Sequence, residues 1–354
     1  MSDLQQHWPK ASNPLPIVIF GAGSIVRDAH LPAYAQAGYA VQGIFDPDLE
    51  KARALASSHG FSCYETLGEA VSQQGVLFDL ATPPDAHIDI LRHLPEGSAA
   101  LIQKPMGNDL DGATKILRTC EDRGLKAAVN FQLRFAPMML ALQDAVAQGL
   151  LGEVVDFDAW LALDTPWGLW KFLEPLPRVE VSLHSIHYLD FIRALLGEPE
   201  GIHAKSIGHP SSKIAQTRTA AILDYGDRVR CALSINHNHS YGRRHQACEF
   251  RICGTKGAAY LQLGVNLDYP KGEPDILELK IGDAPWEKIE LDGAWFPEAF
   301  ASRMSQLQRY VTGEDDHLIG SVADAWHTMA LVEAAYKSSA AKATPIEKPA
   351  RGQA

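Results

Sequence analysis

The chain is 354 residues long, 46% hydrophobic and 21% charged, with a formal net charge of −11. That length suits two ordinary domains that bury their own cores without covalent staples. The acidic balance and the lack of a basic run argue against a nucleic-acid face or a polybasic membrane patch, since both need clustered Lys and Arg.

The amino-terminal MSDLQQHWPKASNPLP lacks the basic-then-apolar order of a secretory signal. No apolar stretch reaches the roughly 20 residues that span a bilayer. Five scattered cysteines form no CxxC pair, so reduced thiols in a cytoplasmic protein are expected. Short apolar runs then alternate with helical stretches. Strands are predicted at Ile17–Phe20, Val41–Phe45, Val76–Ala81, Ala99–Gln103 and Lys126–Asn130, with helices at Asp48–His59 and Ala113–Arg123. Alternation of this kind implies a parallel sheet covered on both faces, an α/β domain over residues 1–130.

The first of these strands runs into Gly21–Ala22–Gly23, and a helix is predicted over Ser24–Ala37. A GxG turn between strand and helix lets backbone N–H groups approach a pyrophosphate at the helix amino terminus. The third glycine of the full fingerprint is replaced by Val26, a position that concerns helix–strand packing. Asp46 ends the second strand. An acidic side chain there suits the adenosine ribose hydroxyls and repels a 2′-phosphate, which favours NAD over NADP.

From residue 131 to 354 the pattern changes to an α+β domain with a large, mostly antiparallel sheet. A strand is predicted over Glu153–Asp164 and a helix over Val179–Leu196, stopped by Gly197 and Pro199. Strand-like runs follow at Ile202–Ile207, Thr217–Tyr225, Arg228–Asn236, Ala247–Cys253, Ala258–Leu263 and Ile276–Ile281. Helices near Phe296–Thr312 and Val322–Ser339 close the chain.

Three further segments carry candidate chemistry: Leu80–Ala–Thr82–Pro83–Pro84–Asp–Ala–His87, Gln103–Lys104–Pro105, and Val181–Ser–Leu–His184–Ser–Ile–His187–Tyr–Leu–Asp190. With the glycine turn, and with Ala294–Phe300 and Thr328–Tyr336, they resemble the glucose–fructose oxidoreductase / inositol dehydrogenase / rhizopine-catabolism (Gfo/Idh/MocA) family over nearly the whole chain. The resemblance implies a Rossmann domain followed by an open-faced sheet domain, with nicotinamide lying between them over that sheet. It implies oxidation of a secondary hydroxyl of a sugar, polyol or related small molecule, and a homodimer or homotetramer formed through the exposed sheet face. Cofactor contacts are expected from Gly21, Ala22, Gly23, Ser24, Ile25, Asp46, Thr82, Pro83, Pro84, His87, Gln103 and Lys104.

Lys104 is the leading catalytic candidate, because a lysine at the carboxyl end of a parallel strand faces the ligand crevice and its charge stabilises an alkoxide. The family pattern Glu–Lys–Pro is Gln103–Lys104–Pro105 here. His187 is the expected general base. The family often has Asp four residues before that histidine, where this chain has Leu183. On an α-helix Glu180, His184 and His187 share one face, so His184 or Glu180 can take the missing carboxylate's place. The same spacing permits metal ligation, but the resemblance does not call for a metal and none is expected. Substrate contacts are expected from Lys104, Arg134, Trp170, His184 and His187; an interdomain ion pair is the other reading of Arg134. Asn130, Trp167 and the strand end Asn236–His–Asn–His239 are weaker candidates for lining the site. Two other functions fit the resemblance: an enzyme using tightly bound NAD as an internal redox catalyst in glycoside cleavage, and a non-catalytic NAD-binding regulator. Retention of Lys104 and His187 favours an enzyme.

Overall fold

A computed structural model describes residues 4–268 and 272–347. The short apolar runs form β1 (Ile17–Phe20), β2 (Val41–Phe45), β3 (Ser62–Cys63), β4 (Leu77–Leu80), β5 (Ala99–Ile102) and β6 (Lys126–Val129). They pair in parallel in the order β3-β2-β1-β4-β5-β6. This is the doubly wound order, whose ligand crevice lies beyond the carboxyl ends of the strands. β1, β4 and β5 are buried along their whole length, as strands covered on both faces must be.

Some of the helices between them begin at side-chain caps. Asp48 accepts from Lys51 N at the start of α1 (Leu49–His59), and Asp109 from Gly112 N at 2.8 Å at the start of α2 (Leu110–Asp122). Each cap satisfies one orphan donor of a first turn. The segment after the glycine turn differs from the plain helix expected over Ser24–Ala37. A π-type turn, Val26–His30, intervenes before the α-helical Leu31–Ala37.

The second sheet has eight strands: β7 (Val154–Ala162), β8 (Gly201–Ile207), β9 (Arg218–Asp224), β10 (Arg230–Asn236), β11 (Ala247–Gly254), β12 (Gly257–Gln262), β13 (Ile276–Ile281) and β14 (Glu287–Lys288). Their order is β14-β13-β12-β11-β7-β10-β9-β8, and only β7 and β10 run parallel. Alternate residues face inward. Phe157, Leu233 and Phe250 pack under α3 (Ile186–Leu196), where Tyr188 and Phe191 meet the Phe250 ring at 5.2 and 6.1 Å. The opposite face carries the exposed Trp160, Ile207 and Ile222.

The two sheets are interlocked. α4 (Glu298–Val311) packs against the first sheet's β5 and the helix Leu31–Ala37, and α5 (Val322–Ala340) touches both α2 and β8. Val129 N donates to Gly320 O at 2.9 Å, joining β6 to the carboxyl-terminal segment. Residues 4–15 form a strap held by Gln5 N on Asp144 and Trp8 Nε1 on Asp315 at 2.7 Å. Among the described residues no helix is long and apolar enough to cross a membrane, and the five cysteines are free thiols.

Candidate active site

The loops after β1, β4 and β5 lie side by side because those strands are neighbours. Gly21, at φ +103°, follows β1 and donates from N to Phe45 O at 2.8 Å. A Cβ there would sit 2.4 Å from Ala81 O, so this position excludes every other residue. A Cβ on Gly23 would meet nothing within 4 Å. The turn is therefore closed on its protein side and open on the other, the shape a phosphate cradle needs. Gly23, Ser24 and Ile25 begin the first helical turn, whose leading N–H groups have no intrahelical acceptor. Val26, in place of the third glycine, is fully buried in the core with Ile17 and Ile19.

Asp46 accepts from Ala22 N at 2.7 Å and from Asp48 N at 2.8 Å. Its carboxylate is thereby pinned beside the glycine turn, and each oxygen keeps a second lone-pair direction. Thr82 abuts the turn, its Cγ2 being 3.5 Å from a Cβ built on Gly21. His87 departs from expectation. It is fully buried, with Nε2 3.0 Å from Thr82 O, and burial holds its pKa down at about 4. It braces the Thr82–Pro83–Pro84 loop from beneath and has no surface to offer a cofactor.

Gln103 Oε1 accepts from Lys104 N at 2.9 Å, and its Nε2 lies 3.3 Å from His30 Nε2. His30 Nδ1 and Tyr34 Oη both reach Asp79 Oδ2 at 2.7 Å. A buried polar chain thus backs the lysine. Nothing local in the sequence announces it, since His30, Asp79 and Gln103 come from three separate segments: the π-type turn, β4 and the end of β5. The Lys104–Pro105 peptide is cis. Lys104 Nζ donates to Leu183 O at 2.8 Å, so the residue in place of the family's aspartate meets the lysine through its backbone. Burial lowers the Lys104 pKa to about 8.

Of the three residues expected on one helix face, Glu180 and His184 stay together and His187 parts from them. Glu180–Ser185 winds as a π-type segment ahead of α3, which breaks the angular bookkeeping of an α-helix. His187 stands between Phe131 and Trp295, whose rings meet it edge-on at 6.4 and 5.7 Å. Burial, and then the Lys104 charge, push its pKa well below the usual histidine value. His184 turns to His237 instead, ring centroids 4.3 Å apart. Its pKa is also well depressed, by burial first and then by His237, His187 and Lys104. Glu180, fully buried, accepts hydroxyl hydrogen bonds from Ser185 and Thr219.

Arg134 is not available to a substrate. It is 6% exposed and is clamped by Asp190 through two nitrogens and by Asp324 Oδ2 at 2.8 Å. The expected contact is corrected to a buried ion pair that ties the segment after β6 to α3 and α5. Trp170 packs half-buried beside Trp167 in a small apolar cluster that includes Leu173, Val179 and Leu183. Asn130 is fully buried at the end of β6, and both of its side-chain polar atoms lack hydrogen-bond partners. A buried amide in that condition marks a place where a ligand or water completes the bonding.

Sequence profiles locate this arrangement among known proteins. That of the Gfo/Idh/MocA oxidoreductase family, NAD-binding Rossmann fold, matches residues 15–131, and that of the Gfo/Idh/MocA C-terminal domain matches residues 139–260. The chain is 25% identical over 332 residues to D-apiose dehydrogenase of Rhizobium rhizogenes, covering 86% of this chain and 89% of that one. It is 22% identical over 337 residues to inositol 2-dehydrogenase of Rhizobium meliloti, covering 92% and 96%. An Agrobacterium radiobacter oxidoreductase, crystallised with NAD+, L-tartaric acid and magnesium, shares the fold at a TM-score of 0.77 and 21% identity, with 93% and 97% covered.

Proposed function

This chain belongs to the Gfo/Idh/MocA oxidoreductase family, and from that premise we propose that it is an NAD-dependent dehydrogenase acting on a secondary hydroxyl of a sugar, polyol or related small molecule. The observation that carries this reading is Lys104: a partly buried ammonium at the carboxyl end of β5, anchored on Leu183 O, with the imidazoles of His184 and His187 in its electrostatic reach. The names of the apiose and inositol dehydrogenases support the substrate class.

Bound NAD supplies the hydride acceptor at nicotinamide C4. Lys104 Nζ, anchored on Leu183 O, presents positive charge where the substrate hydroxyl becomes an alkoxide. His187, held neutral by its surroundings, accepts the hydroxyl proton. His184 and the half-buried Trp170 border the substrate. The glycine turn, Ser24, Ile25, the Thr82–Pro84 loop and Gln103 hold the cofactor. Asp46, already fixed by two backbone N–H groups, favours ribose hydroxyls over a 2′-phosphate. Free thiols suit a reducing cytoplasm, and the exposed Trp160 and Ile222 suit a homo-oligomer built through the second sheet.

The test is a panel of sugars and polyols assayed with NAD and with NADP, each with product analysis. Reduction of NAD by at least one sugar or polyol, with kcat/KM favouring NAD, is expected. Asp46→Ser lowers that preference by about tenfold, or roughly 1.4 kcal/mol. Product formation without net nicotinamide reduction would instead identify internal redox use of the cofactor. No oxidation of any panel member would overturn the proposal.

A further inference from the structure

The second sheet and the π-type segment together bury a group of polar atoms of which only His184 enters the hydride-transfer reading. One carboxylate oxygen of Glu180 and one ring nitrogen each of His184 and His237 lie within 4.8 Å of one another. Glu180 and His237 are fully buried, while His184 is partly exposed. His237 Nε2 lies 3.7 Å from Glu180 Oε1, too far for a hydrogen bond, and has no other partner. His184 Nδ1 is likewise buried and unpartnered.

As it stands, the group is unsatisfied in every protonation arrangement. A His237 protonated at Nε2 keeps a buried N–H with nothing to donate to. A His237 unprotonated there aims a lone pair at a carboxylate. Either leaves a buried polar group unpaired, which is destabilising. Further donors are not at hand, because both Glu180 oxygens are held only by the neutral hydroxyls of Ser185 and Thr219.

We infer that Glu180, His184 and His237 form a divalent transition-metal site of the zinc class. Two imidazoles and a carboxylate are a recognised zinc donor set that leaves a further position open. In a tetrahedral site with bonds of about 2.0–2.2 Å, neighbouring ligand atoms are about 3.3–3.6 Å apart. The 3.7 Å edge between His237 and Glu180 is already close to that spacing. The remaining closure falls to His184, the partly exposed member.

The supporting shell is also in place. His237 Nδ1 meets Thr165 Oγ1 at 2.7 Å, which orients the ring with Nε2 toward Glu180. Ser185 and Thr219 orient the carboxylate in the same way. Trp167 packs on His237 at 5.2 Å and covers the site from the loop side.

The experiment uses the full chain, stripped with a chelator, without substrate or cofactor, so its outcome is separate from that of the dehydrogenase reading. Zinc chloride is titrated against a chromophoric competitor, and cobalt chloride is used for visible spectroscopy. One equivalent per chain is expected. His184→Gln and His237→Gln lower the affinity by at least about 100-fold, and Thr165→Val by about tenfold. Circular dichroism confirms the fold of each variant. His184→Gln, at the partly exposed member, keeps the test decisive should the buried substitution unfold the chain. No stoichiometric binding by the wild type, or unchanged affinity in His184→Gln, would overturn the site.

Discussion

In the proposed mechanism Lys104 is the residue on which the chemistry turns, and its environment sets a pH window. Burial lowers its pKa from 10.5 to about 8, so it is charged below about pH 8 and neutral above. A charge that stabilises alkoxide is lost as pH rises through that value. The turnover rate is therefore expected to fall on the alkaline side with an apparent pKa near 8, and Lys104→Arg to move that limb out of range. A rate that rises through pH 8 would mark Lys104 as a base instead. The same shift carries a stability sign. Between about pH 8 and 10.5 the unfolded chain binds more protons than the folded one, so stability rises with pH there. Lys104→Met removes that increment in thermal unfolding.

At the scale of elements, the glycine turn separates two functions that one motif combines. Gly21→Ala drives a Cβ to 2.4 Å from Ala81 O at positive φ, so it lowers both stability and cofactor affinity. Gly23→Ala meets no protein atom, so the melting temperature holds while NAD affinity falls by at least about tenfold, or 1.4 kcal/mol. Calorimetry and binding titration on the two variants check this; equal affinity losses without a stability difference would contradict it. The strands and helices that alternate with clear period were legible in the sequence, from Ile17–Phe20 to Lys126–Val129. The helix Pro137–Ala147 was not, because its first six residues are all buried and show no polar face to mark a period. The π-type turn at Glu180–Ser185 was equally hidden, and with it the parting of His184 from His187. His237 stood in a strand end read as a possible site lining, but its pairing with Glu180 and His184 is tertiary. Arg134 had two readings of equal weight. Only the positions of Asp190 and Asp324, far along the chain, decide for the ion pair.

For the whole molecule, the open face of the second sheet sets the expected assembly. Trp160 and Ile222 are 42% and 54% exposed on strands whose other face is core. These apolar side chains share the face with the Arg230–Asp156/Asp158 ion pairs, a mixed surface that fits the interface proposed above. Light scattering is expected to give a dimer or tetramer, and the double variant Trp160→Glu, Ile222→Glu to give a folded monomer; a monomeric wild type at micromolar concentration would contradict this. The fold brings the two groups of the proposed mechanism together from two directions. β5 delivers Lys104, α3 delivers His187, and the carboxyl-terminal helices and amino-terminal strap hold the two sheets in one body. The most direct test of hydride transfer assisted by Lys104 is a single-turnover measurement of nicotinamide reduction by Lys104→Met, on the substrate found in the panel, beside a direct titration of NAD. The rate is expected to fall about 100- to 1,000-fold, as when one donor to a developing oxyanion is removed, while NAD affinity stays within about twofold. Reduction at the wild-type rate with the lysine gone would contradict the account.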